Sequence, residues 1–151
     1  MKNEIKSLIN LLDGPLISAL SNAVSYLYLI TDNINWLGIY LYQDDSLILG
    51  PFQGKPACTP LRLNRGVCAA SFNQKETLNI PDVLSFPGHI ACDSESRSEL
   101  VIPLIVDKEI IGVLDIDAPI KNRFLKEDEL FFTEAAKYLA LYIYKHRPQR
   151  W

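Results

Sequence analysis

The chain has no surplus of positive charge, no long apolar run and no paired cysteine spacing, and each absence removes a class of function. Its 15 Lys and Arg stand against 18 Asp and Glu, a formal net charge of -3, and the basic residues are scattered along the sequence. Nothing in that distribution neutralises a run of phosphates, so a nucleic-acid partner is not expected. A membrane-spanning helix needs roughly 20 consecutive apolar residues, and every apolar run here is far shorter. The beginning of the chain is not a signal peptide either, because Lys2, Glu4 and Lys6 interleave with Ile5, Leu8, Ile9, Leu11 and Leu12 in the pattern of an amphipathic helix. The expected location is therefore cytoplasmic, with no membrane partner. Cysteine is scarce, at 3 residues, an odd number without a Cys-x-x-Cys spacing. That argues against a secreted disulfide framework and makes any disulfide transient and chemical.

What is present is the composition of a folded protein: 48% hydrophobic and 22% charged residues over a length of 151, expected to form a single domain over residues 1–151. Ile5, Leu8, Ile9 and Leu12 recur at helical spacing, Asp13-Gly14-Pro15 interrupts the pattern, and Ile17 to Leu29 resumes it; two helices follow. Asn35 to Tyr42 and Leu47 to Gly50, joined by the turn-like Gln43 to Ser46, read as a β-hairpin. After the proline-containing stretch Pro51 to Pro60, Leu61 to Leu63 alternates like a strand and Val67 to Gln74 has the length of a short helix opening after Gly66. Thr77 to Ile80 is another short strand, ended by Pro81. Leu100 to Val106 and Ile110 to Ile116 form a second hairpin of central strands, and Lys126 to Lys145, with acids near its start, is a long helix. This order fits an α+β fold, an antiparallel sheet with helices packed on one face and the other face free for a ligand pocket. The polar loop Asp82 to Arg97 is too long for a plain connection and becomes a functional candidate.

Three groups of residues in this frame carry chemistry. Cys58, Cys68 and Cys92 all fall in loop or loop-to-helix positions. Their bland alternative is inert packing as small hydrophobes. A zinc reading takes His89-x-x-Cys92 with Cys58 and Cys68, but structural zinc sites usually show two closely spaced ligand pairs and only one exists here. Cys68, in the first turn of its helix and near Arg65, is the thiol that local physics favours as a thiolate. Cys92 lies among Asp93, Glu95 and Glu99, which oppose its ionisation yet supply carboxyls able to protonate a leaving oxygen. Asp115 and Asp117 close an Ile/Val/Leu strand, and its period of two turns both acids to the face opposite Leu114 and Ile116. They are either a solvated edge or a seat for an ammonium group. Trp36 and Tyr40 share a strand face as i and i+4, either as core or as an apolar wall for a thioether side chain.

The stretches Asn35-Trp36-Leu37-Gly38-Ile39-Tyr40, Gly50-Pro51-Phe52-Gln53-Gly54-Lys55-Pro56-Ala57-Cys58, Arg65-Gly66-Val67-Cys68, Phe86-Pro87-Gly88-His89-Ile90-Ala91-Cys92-Asp93-Ser94, Ser96-Arg97-Ser98-Glu99 and Gly112-Val113-Leu114-Asp115-Ile116-Asp117 resemble the free methionine-R-sulfoxide reductases, which are GAF-domain proteins. The resemblance covers nearly the whole chain. It implies a thiol-dependent oxidoreductase in which Cys92 attacks the sulfoxide, Cys58 resolves the sulfenic acid, and Cys68 is a third redox cysteine. It also implies that Glu99, Asp115 and Asp117 bind the ammonium and sulfoxide groups while Trp36 and Tyr40 hold the methyl end. The expected partners are free methionine-(R)-sulfoxide and thioredoxin as reductant, with no metal and no organic cofactor; a homodimer is compatible with the sequence. The alternative function is a GAF module that senses a small molecule or redox state without turnover. It is disfavoured here because such modules act on a fused output domain and the sequence ends at Trp151.

Overall fold

The computed structural model describes residues 2–89 and 93–150. Helices α1 (Lys2–Leu11) and α2 (Leu16–Leu29) lead into strands β1 (Trp36–Gln43) and β2 (Ser46–Gly54). The short strand β3 (Leu61–Arg62), helix α3 (Val67–Gln74) and strand β4 (Leu78–Ile80) follow, then a 3-10 turn at Val83–Ser85. Strands β5 (Ser98–Val106) and β6 (Glu109–Ala118) and helix α4 (Lys126–His146) complete the order. Among the described residues no helix is long and apolar enough to cross a membrane.

Local chemistry accounts for most of these boundaries. Gly14 takes φ of +78° and Pro15 occupies the position before α2, so the chain turns there with no helical hydrogen bond to lose. Both hairpins turn through two residues of positive φ, Asp44-Asp45 and Asp107-Lys108, the two-residue geometry whose twist matches that of the strands it joins. The prolines after Gly50 do not end β2 as the sequence suggested: it continues through Pro51 to Gly54. Its register against β1 jumps from Tyr40 opposite Leu49 to Gly38 opposite Phe52, a bulge that places Pro51, which has no N–H, where the ladder is interrupted.

The six strands form one antiparallel sheet in the order β3-β2-β1-β6-β5-β4. On one face Leu37, Ile39, Leu100, Ile102, Leu114 and Ile116 are buried with α1, α2 and α4 in the main core. The opposite face is not left to loops alone. Helix α3 packs on it, and Val67, Cys68 and Phe72 meet Trp36, Tyr40, Val101 and Val113 in a second cluster. Strands β5 and β6 are thus covered on both sides, which is why they read as continuous apolar runs. At the centre, a Cβ added to Gly112 would lie 2.1 Å from the Tyr40 carbonyl oxygen, so the β1 and β6 backbones approach to a distance only glycine tolerates.

Candidate functional site

The second face holds a pocket lined by residues from β1, β6, β5 and α3 and by the segments before β3 and β5. Its floor is acidic. The strand period sends Leu114 and Ile116 into the helical core and turns Asp115 and Asp117 to the pocket, while the antiparallel register sets Glu99 of β5 opposite Asp117. The two aspartates therefore share a face as the spacing predicted, and the solvated-edge alternative is overturned for Asp115, which like Glu99 is only 6% exposed, while Asp117 is half-buried. Burial raises the pKa of Glu99 well above the usual carboxylate range, with the neighbouring Asp115 and Asp117 adding to the effect. Asp117 is raised well above its ordinary value for the same reasons, burial first and then Asp115. Asp115 is pushed up to about 6 by burial, held there by contacts with Cys68 and Glu99 that favour its charged form. Among the described residues no cation forms an ion pair with any of the three. The cluster meets its own repulsion by keeping protons.

One wall is aromatic. Trp36 and Tyr40 stack with ring centroids 5.8 Å apart, and Phe52 lies 5.5 Å beyond Trp36. Gly38 lies between them in the alternation, and a Cβ there would come within 2.4 Å of the Trp36 ring; its missing side chain lets the indole lie across the sheet. Both aromatics do more than the sequence indicated. The Trp36 indole N–H donates to the Lys55 carbonyl at 3.1 Å and the Tyr40 hydroxyl donates to the Cys58 carbonyl at 3.0 Å. Burial, followed by the charge of Asp115, raises the Tyr40 pKa far above that of a free phenol, so the hydroxyl remains a donor. The wall thereby fixes the segment that carries the half-buried Cys58.

Cys68 lies where the sequence placed it, in the first turn of α3, yet the structure reverses the expectation of a favoured thiolate. Its thiol is free and buried and donates to Glu99 Oε1 at 3.9 Å. Burial and then the surrounding Asp115, Glu99 and Asp117 raise its pKa well above the ordinary thiol value, which outweighs the modest field of a helix N-terminus. Cys92 lies outside the described residues. His89 lines the pocket, and burial lowers its pKa. Glu95 points away from the acidic floor to the surface, where it pairs with Lys55. Sequence reasoning missed Asn35, Lys55 and Ser96. Asn35 donates through Nδ2 to Asp93 Oδ2 at 3.1 Å and to Ser96 Oγ at 3.0 Å, and Lys55 Nζ lies 3.6 Å from Asp93 Oδ1. Together they hold the turn at 93–96 beside the aromatic wall. The signal available was the position of Asn35 and Lys55 inside the same short motifs as Trp36 and Cys58.

A curled antiparallel sheet with helices behind it and a ligand pocket in front defines a GAF domain, and the GAF domain profile matches residues 15–143. The free methionine-R-sulfoxide reductase of Escherichia coli is 50% identical over 113 residues, spanning 75% of this chain and 68% of that one. Among solved structures, the free methionine-R-sulfoxide reductase of Neisseria meningitidis in complex with its substrate superposes with a TM-score of 0.91 at 35% identity, covering 97% of this chain and 89% of the other. The reduced form of fRMsr of Staphylococcus aureus gives a TM-score of 0.89 at 41% identity over 94% of each chain. The chain belongs to the GAF-domain family and, within it, to the free methionine-R-sulfoxide reductases, a family of oxidoreductases.

Proposed function

We propose that the protein reduces free L-methionine-(R)-sulfoxide to methionine by a cysteine relay. The observation that carries this reading is the convergence of three carboxyls without a cation partner among the described residues, the buried Glu99 and Asp115 and the half-buried Asp117, beneath the Trp36 and Tyr40 wall. A free amino acid brings an ammonium group for the acids and a methylthio end for the aromatics. Asp115 and Asp117 receive the ammonium. Glu99, whose burial and neighbouring carboxyls favour its protonated form, donates to the sulfoxide oxygen. Cys92 attacks the sulfoxide sulfur; oxygen passes to the cysteine as sulfenic acid, and methionine leaves. A second thiol condenses with the sulfenic acid, releasing water and forming a disulfide. Cys58 is favoured as that thiol because it is disulfide-bonded in the structure while Cys68 is free. Thioredoxin, a strongly reducing cytoplasmic dithiol, then reopens the bond. No metal or organic cofactor takes part in this sequence.

The test is steady-state turnover with thioredoxin, its reductase and NADPH, comparing free methionine-(R)-sulfoxide, its S epimer and an N-blocked R-sulfoxide. Turnover is expected for the first and at least a hundredfold lower kcat/KM for the other two, since a blocked amine leaves the buried acids without a partner. Equal rates on the blocked compound would remove the acids from ammonium binding. No turnover at all, with tight binding of the free amino acid, would leave a sensing module.

A further inference from the structure

Cys68, Glu99 and Asp115 each present one donor atom, and the three atoms lie within 4.8 Å of one another on buried residues. They come from α3, β5 and β6, so the sheet and its covering helix hold them together. A second observation points to a ligand: among the described residues Asp115 Oδ1 is buried with no hydrogen-bond partner, on a residue only 6% exposed. A carboxylate oxygen taken out of water and given no donor is unfavourable. The cavity beside it measures about 60 Å³, room for a cation and some of its waters.

We propose that these three side chains bind a thiophilic divalent cation, with Zn²⁺ as the best fit, and that the cation blocks the acidic end of the pocket. One sulfur and two carboxylate oxygens with a position left to water suit zinc, whereas Mg²⁺ and Ca²⁺ prefer all-oxygen shells. Tetrahedral zinc with ordinary bond lengths separates its ligands by about 3.4–3.6 Å, so side-chain rotations close the site without moving the strands. The cation takes the place of the thiol and carboxyl protons, which leave to solvent, and nothing is oxidised or reduced. This donor set differs from the Cys58, Cys68, Cys92 and His89 combination considered from the sequence. Binding itself does not depend on the proposed reaction; only competition with an amino-acid substrate rests on it.

The experiment titrates the whole, reduced protein with Zn²⁺ against a chromophoric chelator, and with Co²⁺ to observe thiolate-to-metal charge-transfer absorption. One equivalent is expected to bind, Mg²⁺ should not displace it, and Cys68→Ser and Asp115→Asn should each weaken binding at least tenfold. The charge-transfer band should vanish in Cys68→Ser and persist in Cys58→Ser and Cys92→Ser. Unchanged affinity in both Cys68→Ser and Asp115→Asn, or loss in Cys58→Ser or Cys92→Ser, overturns the site. Two variants at separate elements guard against a fold defect in either, and circular dichroism checks both. In the turnover assay zinc should raise KM tenfold or more at unchanged kcat; a fall in kcat alone overturns the blocking role. Should the protein turn over no sulfoxide, the titrations still decide the metal site.

Discussion

At Asp115 two effects of opposite sign meet. Burial drives its carboxyl toward neutrality while contacts with Cys68 and Glu99 favour the charge, and the balance leaves it titrating at about 6 instead of 3.8. A carboxyl whose pKa is higher in the folded than in the unfolded chain binds its proton more tightly when folded. Its stabilising contribution is therefore complete at acidic pH and declines as pH rises from about 4 through about 6. Asp115→Asn removes that decline. The variant should melt roughly 2–6 °C above the wild-type protein at pH 7.5 and at nearly the same temperature at pH 4, measured by calorimetry without ligand. A Tm difference that is the same at both pH values would show that Asp115 acts on stability through packing alone. At Cys68 a helix N-terminus was legible in the sequence, but the thiol keeps its proton through burial first and then through the carboxyls of Asp115 and Glu99, 47 and 31 positions further on.

Among the elements, β1 contributes most to the site. Its outward residues Trp36, Gly38 and Tyr40 alternate with Leu37, Ile39 and Leu41 in the main core, so one strand serves the fold with one face and the pocket with the other. Gly38 is what allows the indole to lie flat against the sheet. Gly38→Ala should lower unfolding stability by roughly 1–3 kcal/mol through overpacking and raise KM several-fold with little change in kcat, because the wall is displaced while the reacting groups are not. Urea unfolding and steady-state kinetics together check this; an unaltered KM would return Trp36 to a purely structural role. The strand and helix positions were readable because period two and period 3.6 are local properties. The extension of β2 to Gly54 was not, since Pro51 is tolerated only because a bulge in the partner register leaves it unbonded.

Across the whole molecule, the proposed relay joins cysteines from three separate segments, and a single-turnover experiment without reductant separates their roles. Cys92→Ser should release no methionine. Cys68→Ser and Cys58→Ser should each release about one per enzyme, since only the attacking thiol is needed for the first product. Full product from Cys92→Ser and none from Cys68→Ser would move the attack to α3. The sequence by itself determined the element order, the opposed faces of β1 and β6, the pairing of two acids on one face of β6 and of two aromatics on one face of β1, and through its motifs the family. Those features depend on the alternation of side chains along one strand and on short contiguous stretches. Only the tertiary structure decided that α3 covers the pocket face, that Glu99 stands opposite Asp117, and that Trp36 and Tyr40 tether the segment bearing Cys58. It also decided that Cys68 is a protonated, buried thiol and no ready nucleophile. The protonation of a side chain depends on the water and charge around it, and at this site both are set by elements distant in the chain.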